Sequence, residues 1–374
     1  MEAEVKRLIR RASPREGDLR PKRNGDSTLV YPFDPELAWM AVTHLRTASR
    51  ALWALYSSGS MRLEPLYEEL VDWVATDNRG WLKDGFGISV YAKDVEAFPA
   101  GVLQIQGTVK NAIIEGASRR GMIVHLDADK PDVVISARGT PPQISIDLAG
   151  GSLHQRGWRL DRGEAPLREN VAAQMLMLSR WDPRSEPLVD PMAGSGTIAI
   201  EAALMARGAP LAADKSLPLA ARLPAFKDMV APIDLFPGTP PPIVAHERHT
   251  PDLDRIKSNA QRAGASIGVL HGDFRELSQA RLAEALGGAP SDHGLVIVNP
   301  PYGIRVGGGG DDAELDALYE DLKTWVLSLG PGWRIAMLAL PDRVERVFGS
   351  GYTLKKPMPN GGLTTYFYVF SQQS

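Results

Sequence analysis

The second half of the chain, from Leu188 onward, alternates short apolar runs with segments of helical periodicity. The apolar runs cover residues 188–189, 243–245, 268–270, 295–298 and 335–340, and the helical segments cover 197–207, 251–262 and 313–327. Such alternation predicts a parallel β-sheet with helices on both faces. The aromatic and β-branched run at 364–370 predicts a final antiparallel strand. We therefore expect an α/β, Rossmann-like domain over residues 171–374.

The region before this domain mixes the two periodicities in shorter pieces. Strand-like runs occur at 29–31, 87–91, 122–125, 132–136 and 144–147, and helical ones at 38–55 and 109–119. This mixture predicts a small α+β region that binds or positions something, because it contains no constellation of acids, bases or nucleophiles. Residues 151–170 are rich in Gly and Arg and predict a basic linker. The proline-rich stretch 208–242 reads as an insertion into the sheet domain.

Composition excludes several kinds of chemistry. The chain has no cysteine, which rules out a Cys nucleophile for methylation at C5 of a pyrimidine, a Cys-bound iron–sulfur cluster, a disulfide framework and a Cys-based zinc site. The seven histidines lack the spacing of metal ligands, so we expect no metal. No apolar run reaches the length of a membrane span or of a secretion signal, and we expect a cytoplasmic protein without membrane contact.

Charge is informative only locally. A net charge of −3 neither supports nor excludes nucleic acid, because binding needs a basic face and not a basic average. Residues 1–23 carry eight Lys or Arg against four Asp or Glu. This segment predicts a solvated, poorly ordered basic tail, with contact to phosphate as the alternative.

The string Asp190-Pro-Met-Ala-Gly-Ser-Gly-Thr197 follows a predicted strand and precedes a predicted helix. Its glycines fit a dinucleotide fingerprint, but the acidic residue expected about 20 residues later is missing. A Walker phosphate loop fails because no lysine follows the glycines. The carboxylate of Asp190 would repel a pyrophosphate, whereas it can hold the ammonium of a methionine group. The string therefore favours S-adenosylmethionine as the cofactor.

The remaining cofactor contacts fall at predicted strand ends, where open α/β sheets bind ligands. Glu247 can take both ribose hydroxyls, Asp273 can accept a hydrogen bond from the adenine amine, and Phe274 can lie against the adenine face. The predicted cofactor set is Asp190, Pro191, Ala193, Gly194, Ser195, Gly196, Thr197, Glu247, Asp273 and Phe274.

The string Asn299-Pro300-Pro301-Tyr302 predicts the catalytic positions. An exocyclic base amine is a poor nucleophile because its lone pair is delocalised into the ring. Acceptors such as the Asn299 side-chain oxygen and the Pro300 carbonyl can draw its protons out of plane, while Tyr302 stacks on the base. We therefore expect methyl transfer to a planar nitrogen by positioning, with a target base flipped into this pocket. The string by itself leaves guanine N2, adenine N6 and a glutamine amide open as acceptors.

Two further features lie near these motifs in sequence. We expect Arg156, Arg159 and Arg305 to contact phosphates, and Arg305 most directly because it follows Tyr302 by three residues. The run of four glycines at 307–310 suggests either a hinge that closes over the base or a flexible surface loop.

Five strings recur in the order seen in one known family. They are Leu153-His-Gln-Arg-Gly-Trp-Arg159, Ala165-Pro-Leu-Arg-Glu-Asn170, the extended string 190–202, Asn299-Pro-Pro-Tyr-Gly-Ile-Arg305 and Asn360-Gly361. The chain thereby resembles the THUMP-containing guanosine N2 methyltransferases, and most of all the methyltransferase half of the ribosomal RNA large-subunit methyltransferase L family.

The resemblance implies an RNA methyltransferase that forms N2-methylguanosine in ribosomal or transfer RNA. It implies a partial ferredoxin-like region over 24–60 and a THUMP domain over 61–150 that grip structured RNA, with 109–113 as a THUMP helix and 144–148 as its last strand. It also implies a monomer. Relatives tend to carry Asp where this chain has Glu247. Two alternatives stay open: a DNA adenine N6 methyltransferase, and a non-catalytic RNA-binding or ribosome assembly factor.

Overall fold

The computed structural model describes residues 1–12, 21–25, 27–159, 167–213, 216–236, 238–288, 291–302 and 312–371. The chain forms two compact units. One contains Met1–Leu153 and Ser216–Pro232, and the other contains His154–Lys215 and Ile233–Ser374. In the described part of the chain, no helix is both long and apolar enough to cross a membrane.

The described residues of the first unit form a five-stranded sheet, a two-stranded hairpin and four α-helices. Its strands are β1 (Lys22–Asn24), β2 (Thr28–Val30), β3 (Leu52–Ser57), β4 (Gly87–Lys93), β5 (His125–Leu126), β6 (Val133–Arg138) and β7 (Gln143–Asp147). Its helices are α1 (Glu2–Ala12), α2 (Pro35–His44), α3 (Leu63–Thr76) and α4 (Val102–Arg119). The sheet has the order β3-β7-β6-β4-β5, and β1 pairs with β2 alone.

Helices α3 and α4 pack closely against each other. Leu66 and Leu70 of α3 and Ile105 and Val109 of α4 are fully buried. The helices approach most closely at Gly116, where a Cβ atom would lie 2.6 Å from Cβ of Val74. A larger residue there would push the helices apart, which explains a glycine in the interior of a helix despite its cost.

The predicted helix at 38–55 is wrong in its second half. Helix α2 ends at His44, and residues 52–57 form strand β3, which pairs antiparallel with β7. Along β3 the exposed Leu52 and Ala54 alternate with the buried Trp53 and Leu55. This period of two fits a strand, and pairing with a partner some 90 residues later decides the conformation against helical propensity.

The basic N-terminal segment is also not wholly a solvated tail. Residues 2–12 form α1, which buries Val5 and Leu8. The buried carboxylate of Glu4 accepts hydrogen bonds from the backbone N–H groups of Arg46 (2.8 Å) and Thr47 (3.0 Å). The prediction overlooked that a charge-rich sequence can still carry one apolar helix face. The rest of the predicted tail, 13–20, lies outside the described residues.

Within the second unit, the residues that the structure describes form a seven-stranded sheet flanked by helices. Its strands are β8 (Leu188–Asp190), β9 (Ile243–Glu247), β10 (Gly268–His271), β11 (His293–Val298), β12 (Gly332–Ala339), β13 (Tyr352–Pro357) and β14 (Tyr366–Ser371). Its helices are α5 (Glu169–Leu178), α6 (Thr197–Arg207), α7 (Thr250–Ala263), α8 (Gln279–Ala285), α9 (Asp312–Ser328) and α10 (Pro341–Phe348).

The sheet order is β10-β9-β8-β11-β12-β14-β13. Pairing is parallel from β10 to β12, and β14 runs antiparallel between β12 and β13. The predicted α/β fold with a final antiparallel strand is thus confirmed. Because β8 to β11 are parallel, their carboxyl ends meet at one edge of the sheet.

The central strands of the sheet are buried on both faces, as their continuous apolar runs predict. Successive residues point to opposite sides, so that Leu295 and Ile297 join one apolar cluster while Val296 and Val298 join the other. Helices α5, α6 and α7 contribute to the first cluster, and α9 and α10 to the second. The two cores hold the carboxyl edge of the sheet in a fixed shape.

The middle of the proline-rich stretch belongs to the first unit. Residues 219–222 and 224–226 form two short 3₁₀ turns, and the buried Phe226 lies edge-on to Phe33 and Trp53, with ring centroids 6.3 and 6.0 Å away. The insertion therefore supplies core side chains to the N-terminal fold, which its position between β8 and β9 in the sequence did not indicate.

Candidate active site

The glycine loop joins β8 to α6 at the carboxyl edge of the sheet. Gly194 and Gly196 have φ angles of +54° and +82°, in the left-handed region that favours glycine. A Cβ atom at Gly196 would also lie 3.1 Å from the side chain of Ile256. The Ala193 N–H donates to the carbonyl of His246 (3.0 Å), which ties the loop to β9.

Glu247 ends β9 and holds this loop. One carboxylate oxygen accepts from the Gly194 N–H (2.9 Å), and the other accepts from the N–H groups of Arg248 (2.8 Å) and His249 (2.9 Å). A carboxylate offers about four acceptor positions, and these backbone N–H groups occupy three of them. The predicted contact to the ribose stays a prediction, and without loss of a backbone bond Glu247 can accept from one hydroxyl, not two.

Asp190 is buried at the end of β8, and its carboxylate accepts from the Met192 N–H (3.2 Å). Burial raises the pKa of Asp190 to about 8, and the negative charge of Glu247 adds to the shift. A buried acid of this kind favours a cationic partner, because a positive charge nearby would restore the ionised form. An ammonium group has that charge.

Asp273 and Phe274 follow β10 and begin a 3₁₀ turn. The Asp273 carboxylate accepts from the Arg275 N–H and from the Arg275 guanidinium, both at 3.0 Å. The ring of Phe274 is 4% exposed and lies edge-on to Trp325 at 5.9 Å. Their predicted contacts with adenine stay predictions, and Phe274 in this structure is a core residue.

Asn299, Pro300, Pro301 and Tyr302 follow β11 directly. The Tyr302 hydroxyl donates to Oδ1 of Asn299, and the Tyr319 hydroxyl of α9 donates to the Pro301 carbonyl (3.4 Å). Burial raises the pKa of Tyr302, so its hydroxyl keeps its proton. The amide oxygen predicted to receive the base amine therefore already accepts a hydrogen bond from a neighbour.

Asn360 completes this group, and the predicted site residues did not include it. Its amide Nδ2 donates to the Tyr302 hydroxyl (3.3 Å). Asn360 forms an isolated bridge with Leu363 across a tight turn, in which Gly361 and Gly362 have φ angles of +58° and +83°. The Asn360-Gly361 string was the available signal, but it predicts a turn and does not indicate what the turn approaches.

Two of the three predicted phosphate-binding arginines point away from solvent. Arg156 is 1% exposed, and its guanidinium lies 3.3 Å from the carboxylate of the buried Glu201. The Arg159 side chain is 8% exposed and donates to Thr197 Oγ1 (2.6 Å) and to the Leu167 carbonyl (2.9 Å). Both guanidinium groups are thus buried and paired within the protein, which argues against the predicted contacts with phosphate. Arg305 and the glycine run 307–310 lie outside the described residues.

These residues fit S-adenosylmethionine at the ends of β8, β9 and β10. The glycine loop offers close backbone approach, Asp190 and Glu247 offer acidic groups for an ammonium and a ribose, and Asp273 offers a third carboxylate. When bound, this cofactor supplies an electrophilic methyl group. The predicted catalytic string 299–302, called the acceptor motif below, follows β11, which pairs with β8. The predicted donor and acceptor positions therefore share one edge of the sheet.

Comparison with known protein families gives one match over most of the second unit. The family described as UPF0020, RMKL-like methyltransferase domain, matches residues 156–366. This range contains the glycine loop, Glu247 and the acceptor motif.

Individual relatives cover more of the chain. The ribosomal RNA large subunit methyltransferase K/L of Shewanella sp. (strain W3-18-1) is 32% identical over 355 residues, which are 90% of this chain and 47% of the relative. The putative RNA methyltransferase YpsC of Bacillus subtilis (strain 168) is 29% identical over 91% of this chain and 87% of its own length. The chain thus spans about half the length of the K/L relative.

A solved structure agrees with the whole fold. The putative methyltransferase SMU.472, solved with S-adenosylhomocysteine, superposes with a TM-score of 0.77 at 24% identity and covers 100% of this chain and 96% of that one. At this identity the likeness shows the fold of both units and no more.

Proposed function

Because the chain belongs to the family of RMKL-like methyltransferase domains, we propose that it is an RNA methyltransferase that forms N2-methylguanosine in ribosomal or transfer RNA. Membership gives the reaction class, methyl transfer, and the cofactor, S-adenosylmethionine. The acceptor base, the kind of RNA and the role of the first unit belong to the proposal, since the chain spans only about half of the K/L relative.

The observation that carries the proposal is the place of the acceptor motif. Asn299 follows β11, whose neighbour β8 leads into the glycine loop. Asn299 Oδ1 and the Pro300 carbonyl are neutral acceptors, which suit an amine whose protons must be drawn out of the ring plane. In the described residues around this motif no histidine, lysine or carboxylate bonds to Asn299 or Tyr302, so we infer catalysis by positioning, with the proton lost after transfer.

Support for RNA as the substrate comes from outside the site. The relatives just described are named as RNA methyltransferases, and their similarity extends through the first unit. We propose that the first unit, with a partial ferredoxin-like region at 24–60 and a THUMP domain at 61–150, holds structured RNA mainly by shape and phosphate contacts. The proposal includes a monomeric enzyme in the cytoplasm, where ribosomal and transfer RNA occur.

Identification of the labelled nucleoside tests the acceptor. The purified protein is incubated with tritiated S-adenosylmethionine and, separately, with unmodified ribosomal RNA, transfer RNA and duplex DNA, and each product is digested to nucleosides. We expect label in N2-methylguanosine from one RNA pool and none when Asn299→Ala replaces the wild type.

Other outcomes would overturn parts of the proposal. Label in N6-methyladenine from duplex DNA would identify a DNA adenine methyltransferase. No label in any pool, together with measurable binding of S-adenosylhomocysteine, would identify a protein that holds the cofactor without turnover.

A further inference from the structure

We propose that Arg159 is a positioning residue for the glycine loop between β8 and α6, and that together with Asn259 it sets the affinity for S-adenosylmethionine. The proposal rests on S-adenosylmethionine as the cofactor and is independent of the acceptor base. It replaces the expected role of Arg159 in phosphate binding with one inside the catalytic unit.

Arg159 reaches the loop from the segment that precedes α5. Its guanidinium donates to Thr197 Oγ1 at 2.6 Å, and Thr197 Oγ1 lies 3.2 Å from Ser195 Oγ. The same guanidinium donates to the Leu167 carbonyl (2.9 Å), and its Nε lies 3.4 Å from the carboxylate of Glu169. A nearly buried cation between these partners has little freedom to move.

Asn259 of α7 holds the loop from another direction. It is fully buried, and its Nδ2 donates to the Ser195 carbonyl (3.1 Å). Arg262 donates to Asn259 Oδ1 (2.5 Å) and to the carbonyl of Trp158 (2.7 Å). Because Trp158 directly precedes Arg159, both sets of contacts connect the glycine loop to the same short stretch of chain.

Together, the contacts of Arg159 and Asn259 form a closed ring of hydrogen bonds around the glycine loop. One side runs from Arg159 to Thr197 and Ser195, and the other from Trp158 through Arg262 and Asn259 back to Ser195. The residue between the two contact points is Gly196, which has a φ angle of +82°. A loop that contains glycines is costly to order, so contacts that fix it in advance reduce the cost of binding the cofactor.

The first test measures affinity without RNA. Isothermal titration of S-adenosylhomocysteine should show a dissociation constant about tenfold higher for Arg159→Ala than for the wild type, as expected for loss of a charged hydrogen bond. Arg159→Lys keeps the charge but loses the forked geometry and should lie between them. Arg184→Ala, an exposed arginine of the same unit with a side chain that is 86% exposed, is the matched control and should bind as the wild type does.

A double-mutant cycle tests whether the contact itself matters. Thr197→Val removes the hydroxyl with little change of shape. If Arg159 acts through Thr197, the loss in the double variant is at least threefold smaller than the product of the two single losses. Should Arg159→Ala fail to fold, Arg159→Lys takes its place in the cycle. Independent, multiplicative losses would overturn the proposal.

Kinetics separate positioning from RNA contact. We expect Arg159→Ala to raise KM for S-adenosylmethionine, with KM for RNA unchanged and kcat at saturation within about threefold. A higher KM for RNA with unchanged cofactor affinity would overturn the positioning role and would identify Arg159 as a phosphate contact. A wild type that binds no S-adenosylhomocysteine would overturn both this proposal and the cofactor, whereas label in another nucleoside would overturn only the proposed acceptor.

Discussion

The two halves of the candidate active site lie at the same edge of one sheet but are held in different ways. At the cofactor half, Glu247 accepts three backbone hydrogen bonds, and Asp190 is buried in the end of β8. At the acceptor half, Tyr302 bonds to Asn299 and Asn360 bonds to Tyr302, and both contacts join side chains.

This difference indicates how each half works. Backbone contacts of a buried carboxylate cannot be exchanged without moving the loop, so the cofactor half is fixed by the fold. Side-chain contacts can exchange partners by rotation about χ angles. In the proposed reaction a base amine would therefore take the place of the Tyr302 hydroxyl at Asn299, while Asn360 still holds the Tyr302 oxygen.

The largest effect should follow from Asn299→Ala, which removes the exchangeable acceptor. We expect kcat to fall by roughly 10³-fold, because the amine loses an acceptor that acts in the transition state. The affinity for S-adenosylhomocysteine should stay within a few fold, since the cofactor half is untouched. Single-turnover rates and calorimetry measure the two quantities, with Gln261→Ala as an exposed control. Comparable losses in kcat and in affinity for S-adenosylhomocysteine would show that the cofactor half and the acceptor half do not act independently.

Glu247→Gln tests the cofactor half of the site. The amide group keeps the size of the side chain but replaces one acceptor oxygen with a donor, which faces backbone N–H groups. We expect the dissociation constant of S-adenosylhomocysteine to rise roughly 10- to 100-fold, with a smaller change in kcat at saturation. Glu276→Gln, exposed near the same edge, is the control. An unchanged affinity would mean that Glu247 does not organise the glycine loop for cofactor binding.

Asp190 predicts a pH dependence of cofactor binding. Its pKa of about 8 means that the carboxyl is mostly protonated between pH 6 and 7.5 in the unliganded protein, whereas an ammonium prefers the carboxylate. Binding then releases a proton, and affinity should rise with pH by up to about tenfold per pH unit in this range. Calorimetry in buffers of different ionisation enthalpy measures both the affinity and the proton release.

Asp190→Asn supplies the control for that dependence. The variant should bind more weakly, with an affinity that does not change with pH. Because the pKa of Asp190 is higher in the folded than in the unfolded chain, its contribution to stability is present at acidic pH and is lost as the pH rises toward 8. The unliganded variant should therefore gain stability relative to the wild type as the pH increases. A wild-type affinity that is flat from pH 6 to 7.5 would contradict the assignment.

The smallest effect is expected for Tyr302→Phe, which keeps the ring and frees Oδ1 of Asn299. We expect kcat to change by less than about threefold, with KM for RNA equal or lower, because the base no longer competes with a hydroxyl. Tyr302→Ala also removes the ring and should lose at least about tenfold. Steady-state kinetics with both variants distinguishes the roles of ring and hydroxyl. Equal losses would assign the effect to the hydroxyl.

Prediction from sequence succeeded where a local pattern carried the information. Strands β8 to β12, the final antiparallel strand and the loop before α6 all follow from periodicity and from glycines near a strand end. It failed at 52–57, where the conformation depends on a strand some 90 residues later in the chain. It also failed at 2–12, where a charge-rich sequence carries an apolar helix face that was overlooked. It also assigned Arg156 and Arg159 to phosphate contacts and did not foresee their burial, since charged residues are mostly exposed unless they are paired.

The sequence by itself determined the α/β sheet, the order of its motifs and the chemical types of the groups at its carboxyl edge, because strand and helix periods and strand-end residues are local properties. Only the tertiary structure decided which of these groups are already paired. Arg156 meets Glu201 and Asn360 meets Tyr302 across 45 and 58 residues of chain, and such contacts depend on packing that no local pattern records.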